Sequence, residues 1–434
     1  MSAPTFFTAL APDEAIQGSR DPLGLLPIWS RLGRGLIGNV TTVSGDLRGW
    51  TTLLIMAGLY RERVDAGLID EAHTEPLFRA EQLVAYSRVL ANHAGDVRGL
   101  NQIKKHLNTY DQGNKPIPLG LAQERRILTA QQSAGVWGQI SSPAGASQLI
   151  DRRTRALTPA AHALWSSTFA PKLAPFATRI TEILTDRRGF EPSRGDAALA
   201  TTLAGLHQLK LAPAEVPVYR DHILYGGAVG STQREFVELW RAETGDTALR
   251  EGVNIPRTAA LAQHARAAAL PEVGAGLENI VAAERLLAPM ERLFSFVQGR
   301  HRASIDDTIA ELRKDWDEPI ATAAMATDDV LGPPVHSVYP GVEVGAALTK
   351  VREALAIGAW EAAIYGVIDL NAITMRRRGG AEWVRVVDGK LDVRLADESS
   401  SLPKLDALHR DLVHSYYLDP IRRLVVAWED GQRG

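Results

Sequence analysis

The chain has 434 residues, long enough for two or three domains, and its 45% hydrophobic, 23% charged composition is that of a globular protein. A formal net charge of -3 supplies no bulk basic field, so DNA coating is excluded and any nucleic-acid contact has to come from local patches. The absence of cysteine removes disulfides, thiolate nucleophiles, cysteine-ligated zinc and iron–sulfur clusters.

Taken in chain order, the first residues, MSAPTFFTALAPDEAIQGSRDPLG, carry no basic stretch followed by an apolar core, so no export signal is expected. The longest apolar run, WTTLLIMAGLY, is shorter than the ~18 residues of a membrane span. A cytoplasmic chain without a membrane partner is the expectation. GRGLIGNV matches G-x-G-x-x-G through Gly33, Gly35 and Gly38, and Val40 fits the kinase form. A phosphate cradle needs a strand before it; Pro27 interrupts the preceding run and no lysine occurs before Lys104, so a glycine-rich connection between helices is favoured. In SGDLRGWTTLLIMAGLYRERVDAG, Ser44 is the expected N-cap, and Leu47, Trp50, Leu54, Ala57 and Tyr60 trace one buried stripe. EPLFRAEQLVAYSRVLANHAG repeats the pattern through Leu77, Ala80, Leu83, Val84 and Ser87, with its end at Gly95. Thr158 before Pro159 marks a further helix start.

Breaks are expected at 111–120, 189–196, 211–218 and above all 331–345, where LGPPVHSVYPGVEVG reads as the best linker. Pro289 should bend or break the helix of GLENIVAAERLLAPMERLFSFVQGR. A long helix follows the linker and closes on Arg376-Arg377-Arg378, where its carbonyl dipoles favour cations and Gly379-Gly380 supply a left-handed cap. Asp388-Gly389 is a type I′ turn signal that fixes a hairpin: Val387 opposite Lys390, Val386 opposite Leu391, Arg385 opposite Asp392, Val384 opposite Val393, and Trp383 opposite Arg394. Val384, Val386, Leu391, Val393 and Leu395 then form a face to be buried; Trp383 lies on the solvated face beneath Arg394. The hairpin is expected to pack on PKLDALHRDLVHSYY and on DPIRRLVVAWED, a final helix capped by Asp419 and opened by Pro420.

No catalytic residue is marked. The histidines are isolated, His409 and His414 are spaced off a common helix face, and His73, His222 and His301 have no second imidazole nearby, so no metal is expected. Asp306 and Asp307 read as the acidic first turn of a helix, since Glu311-Leu312-Arg313 misses nuclease spacing. The basic clusters remain: Arg125 and Arg126, Arg152 and Arg153 with Arg155, Arg376 to Arg378, and Arg422 with Arg423. Arg376, Arg377, Arg378, Arg125, Arg126, Arg152 and Arg153 are the candidates for binding nucleic acid or an acidic partner. For Arg376 to Arg378, the helix-end reading is preferred over a phosphate grip.

RDPLGLLPIWSRLGRGLIGNVTTVSGDLRGWTTLLIMAGLY, EPLFRAEQLVAYSRVLANHAG and GVWGQISSPAGASQLIDRRTRALTPAAHALW, within roughly the first 165 residues, resemble uncharacterised helical proteins encoded in bacterial phage-defence and DNA-modification islands. The resemblance implies a subunit of an anti-phage assembly and gives no residue a catalytic role. The sequence thus points to a mainly α, multi-lobed protein with a small C-terminal β-hairpin, in three regions, 1–120, 121–330 and 331–434. The expected function is that of a non-catalytic subunit without cofactors that binds a protein partner, with DNA or RNA as a further candidate. A metal-dependent nuclease or hydrolase built from scattered Asp, Glu and His, and a small-ligand or nucleotide sensor using Gly33 to Gly38, are the alternatives.

Overall fold

Helical spacing of apolar residues carries through into the backbone along most of the chain. The computed structural model describes residues 21–93, 97–113, 115–227, 231–341, 343–397 and 401–433, mainly α with one two-stranded antiparallel hairpin. The stretch on which the expectation of no export signal chiefly rests, residues 1–20, lies outside the described residues, as does Gly95. Parts of the expected breaks at 111–120 and 331–345, at positions 114 and 342, lie outside them too.

In order come α1 (Leu26–Leu36), α2 (Leu47–Asp65), α3 (Glu75–Leu90), α4 (Leu100–Gly113), α5 (Gln131–Ala134), α6 (Val136–Ala146) and α7 (Pro159–Leu164). Next are α8 (Ala170–Leu173), α9 (Ala177–Leu184), α10 (Ala197–Gly205), α11 (Glu215–Val218), α12 (Ser231–Arg250), α13 (Ile255–Ala267) and α14 (Pro271–Gln298). The chain then forms α15 (Ile305–Leu312), α16 (Asp328–Val338), α17 (Glu343–Ile357), α18 (Trp360–Arg377), β1 (Val384–Val387), β2 (Lys390–Val393), α19 (Leu405–Arg410) and α20 (Leu418–Arg433). They sort into two units, Met1–Leu36 with Val253–Tyr416, and Ile37–Gly252 with Tyr417–Gly434. The three sequential regions cut across both, because the chain leaves the first unit after α1 and contributes its last helix to the second.

In the first unit α14 is central, packed by α1, α13, α16 and α18. Pro289 sits inside it without breaking it. Proline removes one ladder bond at a cost of ~3 kcal/mol, but apolar residues buried on both sides of it hold the two halves as one helix. Positions 331–338 are helical despite Pro333 and Pro334, so the expected linker is largely α16. The run expected as one long helix is divided by Gly358, at φ 72°, into α17 and α18, which pack on each other.

The end of α18 follows the cap rule. Gly379 is left-handed, its N–H donates to the Arg376 carbonyl (3.0 Å), and the Gly380 N–H donates to Met375 (3.0 Å), a Schellman closure. The hairpin has the expected register through Val384↔Val393 and Val387↔Lys390, with Asp388 and Gly389 both at positive φ. Val384, Leu391 and Val393 are buried, while Val386 is only half-buried. Trp383 is buried and not solvated, because the strand start runs into α18, where Asn371 accepts its N–H (2.8 Å). The hairpin packs on α18 and on residues 302–304: the Leu391 N–H donates to Ala303 (2.9 Å) and the Arg302 N–H to Leu391 (2.8 Å).

In the second unit α2 packs on α3, α6 and α20, and α3 also packs on α4, α9 and α10. Both α2 and α3 are buried nearly all round, not along one stripe. Asp46, not Ser44, caps α2 by accepting the Arg48 N–H (3.0 Å), because Ser44 is engaged in a turn with Thr41. Thr158 stands at the start of α7 but donates its hydroxyl to Gln148 (2.6 Å) instead of capping. Helix α20 already begins at Leu418, so Asp419 lies in its first turn and pairs with Arg422 (2.6 Å) and Arg423 (3.1 Å).

Gly33 and Gly35 lie within α1, not in a phosphate loop. A Cβ at Gly33 would come 2.5 Å from the Tyr416 carbonyl oxygen, whereas one at Gly35 would meet nothing within 4 Å. Gly33→Ala should therefore lower stability by about 1–3 kcal/mol through overpacking. Gly35→Ala should raise it by about 1 kcal/mol through helix propensity. Thermal melting of the two variants checks this, and shifts of the same sign would contradict the packing described.

Candidate ligand-binding site

Because α3 is enclosed, its buried polar residues must find partners inside the protein. Arg79 donates to the carbonyls of Leu119 (3.2 Å) and Leu184 (2.9 Å) and pairs with Glu75 (3.2 Å) and Asp186 (3.3 Å). Gln82 donates to the Gly120 carbonyl (2.8 Å) and accepts the Gly120 N–H (2.7 Å). It also donates to Gln131 Oε1 (2.8 Å).

Glu81 is only half satisfied. Its Oε1 accepts the Val136 N–H (2.9 Å) at the start of α6, whose N-cap, Gly135, has no side chain to do so. A Cβ on Gly135 would lie 2.5 Å from that oxygen, so the carboxylate occupies the space a side chain would take. Oε2 is buried and accepts no hydrogen bond. Burial pushes the carboxyl up to about 7, against the α6 N–H groups, the Gln131 amide and Arg98, which favour its ionised form.

The carboxylate borders a cavity of about 250 Å³. Arg88 from α3, Arg98 from the turn before α4 and Arg423 from α20 also line it, with Asp46 before α2 and apolar Val84, Ile127 and Ile140. Arg98 is half-buried and forms no ion pair among the described residues. Arg423 approaches past Gly45, where a Cβ would sit 2.9 Å from its terminal nitrogen. A neighbouring cavity of about 580 Å³ shares Asp46, Arg88 and Arg423, and adds Arg48 and His207. There Arg48 is structural: buried, it pairs with Glu215 (2.8 Å) and donates to Thr51 (3.1 Å) and to the carbonyls of Gln208 and Lys210.

The arginines singled out in the sequence stand elsewhere. Arg378 pairs with Asp21 (3.0 Å), Arg377 lies over the Tyr339 ring (5.2 Å), and Arg376 is exposed. Arg125 pairs with Asp186 (2.7 Å), Arg126 is half-buried, and Arg152 and Arg153 are exposed. Of the basic clusters, only Arg422 and Arg423 reach the cavities described. Glu81, Arg88 and Arg98 were missed: charges on a helix read as amphipathic are assigned to the solvated face, which the enclosure of α3 overturns for the first two, and Arg98 stands in a turn with no motif to mark it.

Among the described residues no group of His, Asp and Glu could hold a metal ion. Asp306 and Asp307 form the first turn of α15, where the Asp307 N–H donates to Ser304 (3.1 Å). His414, in the first unit, is clamped between Glu284 (2.8 Å) and Glu291 (3.1 Å), and the Tyr416 hydroxyl also donates to Glu284 (2.9 Å). Burial lowers the imidazole's proton affinity, but the two carboxylates more than offset this and push it up to about 9. This cluster ties residues 413–416 to α14 with each ring nitrogen engaged, a structural role.

No family model, curated protein or solved structure matches the chain.

Two pH effects of one sign follow from different residues. His414 is raised from 6.5 to about 9, so its contribution, at most roughly 3 kcal/mol, is fully present below pH 6.5 and lost as pH rises through 9. His414→Gln should flatten the fall of melting temperature over that window. Glu81 is raised from 4.5 to about 7, so the folded state is favoured at low pH and weakened as pH climbs through 7. Glu81→Gln should match the parent near pH 5 and exceed it at pH 8 by up to about 3 kcal/mol, measured by denaturant unfolding. A variant weaker than the parent at pH 8 would show Glu81 to be a net stabiliser.

Proposed function

We propose that the chain is a cytoplasmic ligand-binding subunit whose second unit receives a small anion in the cavity of Arg88, Arg98 and Arg423. The observation that carries this is the convergence of three arginines from separate segments on one cavity, in a chain whose net charge is -3. Guanidinium groups pair in bidentate fashion with carboxylate or phosphate, and partial enclosure strengthens such pairs over their value in water. The resemblance of the first 165 residues to phage-defence proteins supports an antiviral setting and a protein partner. The small-ligand sensor is thus the favoured form of the binding role, with its site at these arginines and not at Gly33 to Gly38.

An enzyme is the second reading, favoured by Glu81, whose proton affinity near neutral pH suits a general acid or base. Turnover of a bound anion that is abolished in Glu81→Gln would select it.

Calorimetric titration with inorganic phosphate, citrate and nucleoside monophosphates tests the binding role. At least one should bind at millimolar concentration or better, and Arg98→Gln and Arg423→Gln should each weaken it about tenfold, the worth of one charged hydrogen bond. The triple change of Arg376, Arg377 and Arg378 to Gln should leave that affinity unaltered. Equal affinity in the parent and both single variants would overturn the assignment.

A further inference from the structure

The stretch 208–212, beside the larger of the two adjoining cavities, is fixed from several sides. Arg48 donates to three successive carbonyls, those of Gln208, Leu209 (3.4 Å) and Lys210 (3.0 Å). Glu215, its ion-pair partner, accepts the Ala212 N–H (2.7 Å), and the Leu211 N–H donates to the Gly431 carbonyl of α20 (2.8 Å). A Cβ on Gly431 would come 3.0 Å from the Leu209 carbonyl oxygen, so the stretch lies close against that helix. Yet Leu209 is 87% exposed and lines the cavity, so a pinned backbone holds an apolar side chain at the cavity mouth. The charged residues that belong to this cavity alone are ion-paired within the protein: Arg48 with Glu215 (2.8 Å), Arg422 with Asp419 (2.6 Å) and Asp430 with Arg250 (3.2 Å). A body that fits here is therefore uncharged, and an acid group belongs at the end shared with the smaller cavity, where Arg88 and Arg423 stand.

Resting on the anion reading above, we propose that the anion is a nucleoside 5′-monophosphate, with its phosphate among Arg88, Arg98 and Arg423 and its nucleoside in the larger cavity beside Leu209. The volumes suit this division. At about 250 Å³ the arginine cavity falls short of the roughly 300–1,000 Å³ of organic-ligand sites, and its neighbour of about 580 Å³ lies within that range. The chemistry of the walls selects the body. Leu209, Val426 and Ala427 give apolar contact to a flat ring, and Asn92, Gln208 and His93 supply donors and acceptors. Side-chain amides match the paired donor and acceptor on the edge of a base. An alkyl chain gains nothing from those polar groups, and a bare sugar leaves Leu209 in water. A nucleobase on ribose has both an apolar face and a hydrogen-bonding edge.

Calorimetric titration of the full chain with inorganic phosphate, ribose 5-phosphate, hexyl phosphate and the 5′-monophosphates of adenosine, guanosine, cytidine and uridine tests the inference. At least one nucleotide should bind about tenfold tighter than each of the three simpler phosphates, through burial of the ring's apolar face. Leu209→Ser, a change at an exposed side chain that the fold does not pack, should lower the ratio of nucleotide to inorganic phosphate affinity about tenfold. Ribose 5-phosphate or hexyl phosphate binding as tightly as the best nucleotide would overturn the inference while leaving anion binding intact. So would a nucleotide preference that is unchanged in Leu209→Ser. If citrate binds and no phosphate does, the anion reading stands and this inference fails. If neither citrate nor any phosphate binds, the anion reading itself fails and this inference with it.

Discussion

The enclosure of α3 is the constraint on which the second unit depends. A helix surrounded by other helices has no water to satisfy its polar side chains, so each one fixes a piece of the surroundings. Arg79 and Gln82 do this for the 119–120 stretch and the end of α9, binding the backbone at Leu119, Gly120 and Leu184. Glu81 does it for α6, by supplying the acceptor that Gly135 lacks. The positions of α6 and the 119–131 segment, and hence the walls of the cavity, are set by polar residues of a single buried helix.

What could be read in the sequence was local. The Asp388-Gly389 turn and the Gly379-Gly380 cap depend on backbone angles within a few residues, and both formed as expected. Ser44 lost the cap to Asp46 for a local reason, a turn with Thr41 that takes its hydroxyl, whereas the break at Pro289 and the linker at 331–338 did not form because packing outweighs a local preference of about 1–3 kcal/mol. Periodicity also misleads when a helix is buried all round, because the residues off the apolar stripe are then interior groups and not a solvated face.

The arginine clusters show the same limit from the other side. Consecutive residues at a helix end point in different directions, so Arg377 stacks on Tyr339 while Arg378 reaches Asp21. A binding site needs guanidinium groups that converge, and convergence is a property of the fold. Arg88, Arg98 and Arg423 are far apart in sequence and meet at one cavity, and nothing in their local sequence distinguishes them from the chain's many other arginines.

Two buried titratable groups, one in each unit, separate structure from function. His414 is held by carboxylates at both ring nitrogens, and its charge is stabilised where it stands. Glu81 is the opposite case. As a cap for α6 it contributes ~1 kcal/mol, which a serine or aspartate at position 135 would supply locally. As a buried carboxylate raised from 4.5 to about 7 it costs roughly 3 kcal/mol once ionised. Burial lets Glu81 hold its proton up to about pH 7 instead, and it caps α6 in either charge state, because a protonated carboxyl keeps a carbonyl oxygen to accept the Val136 N–H.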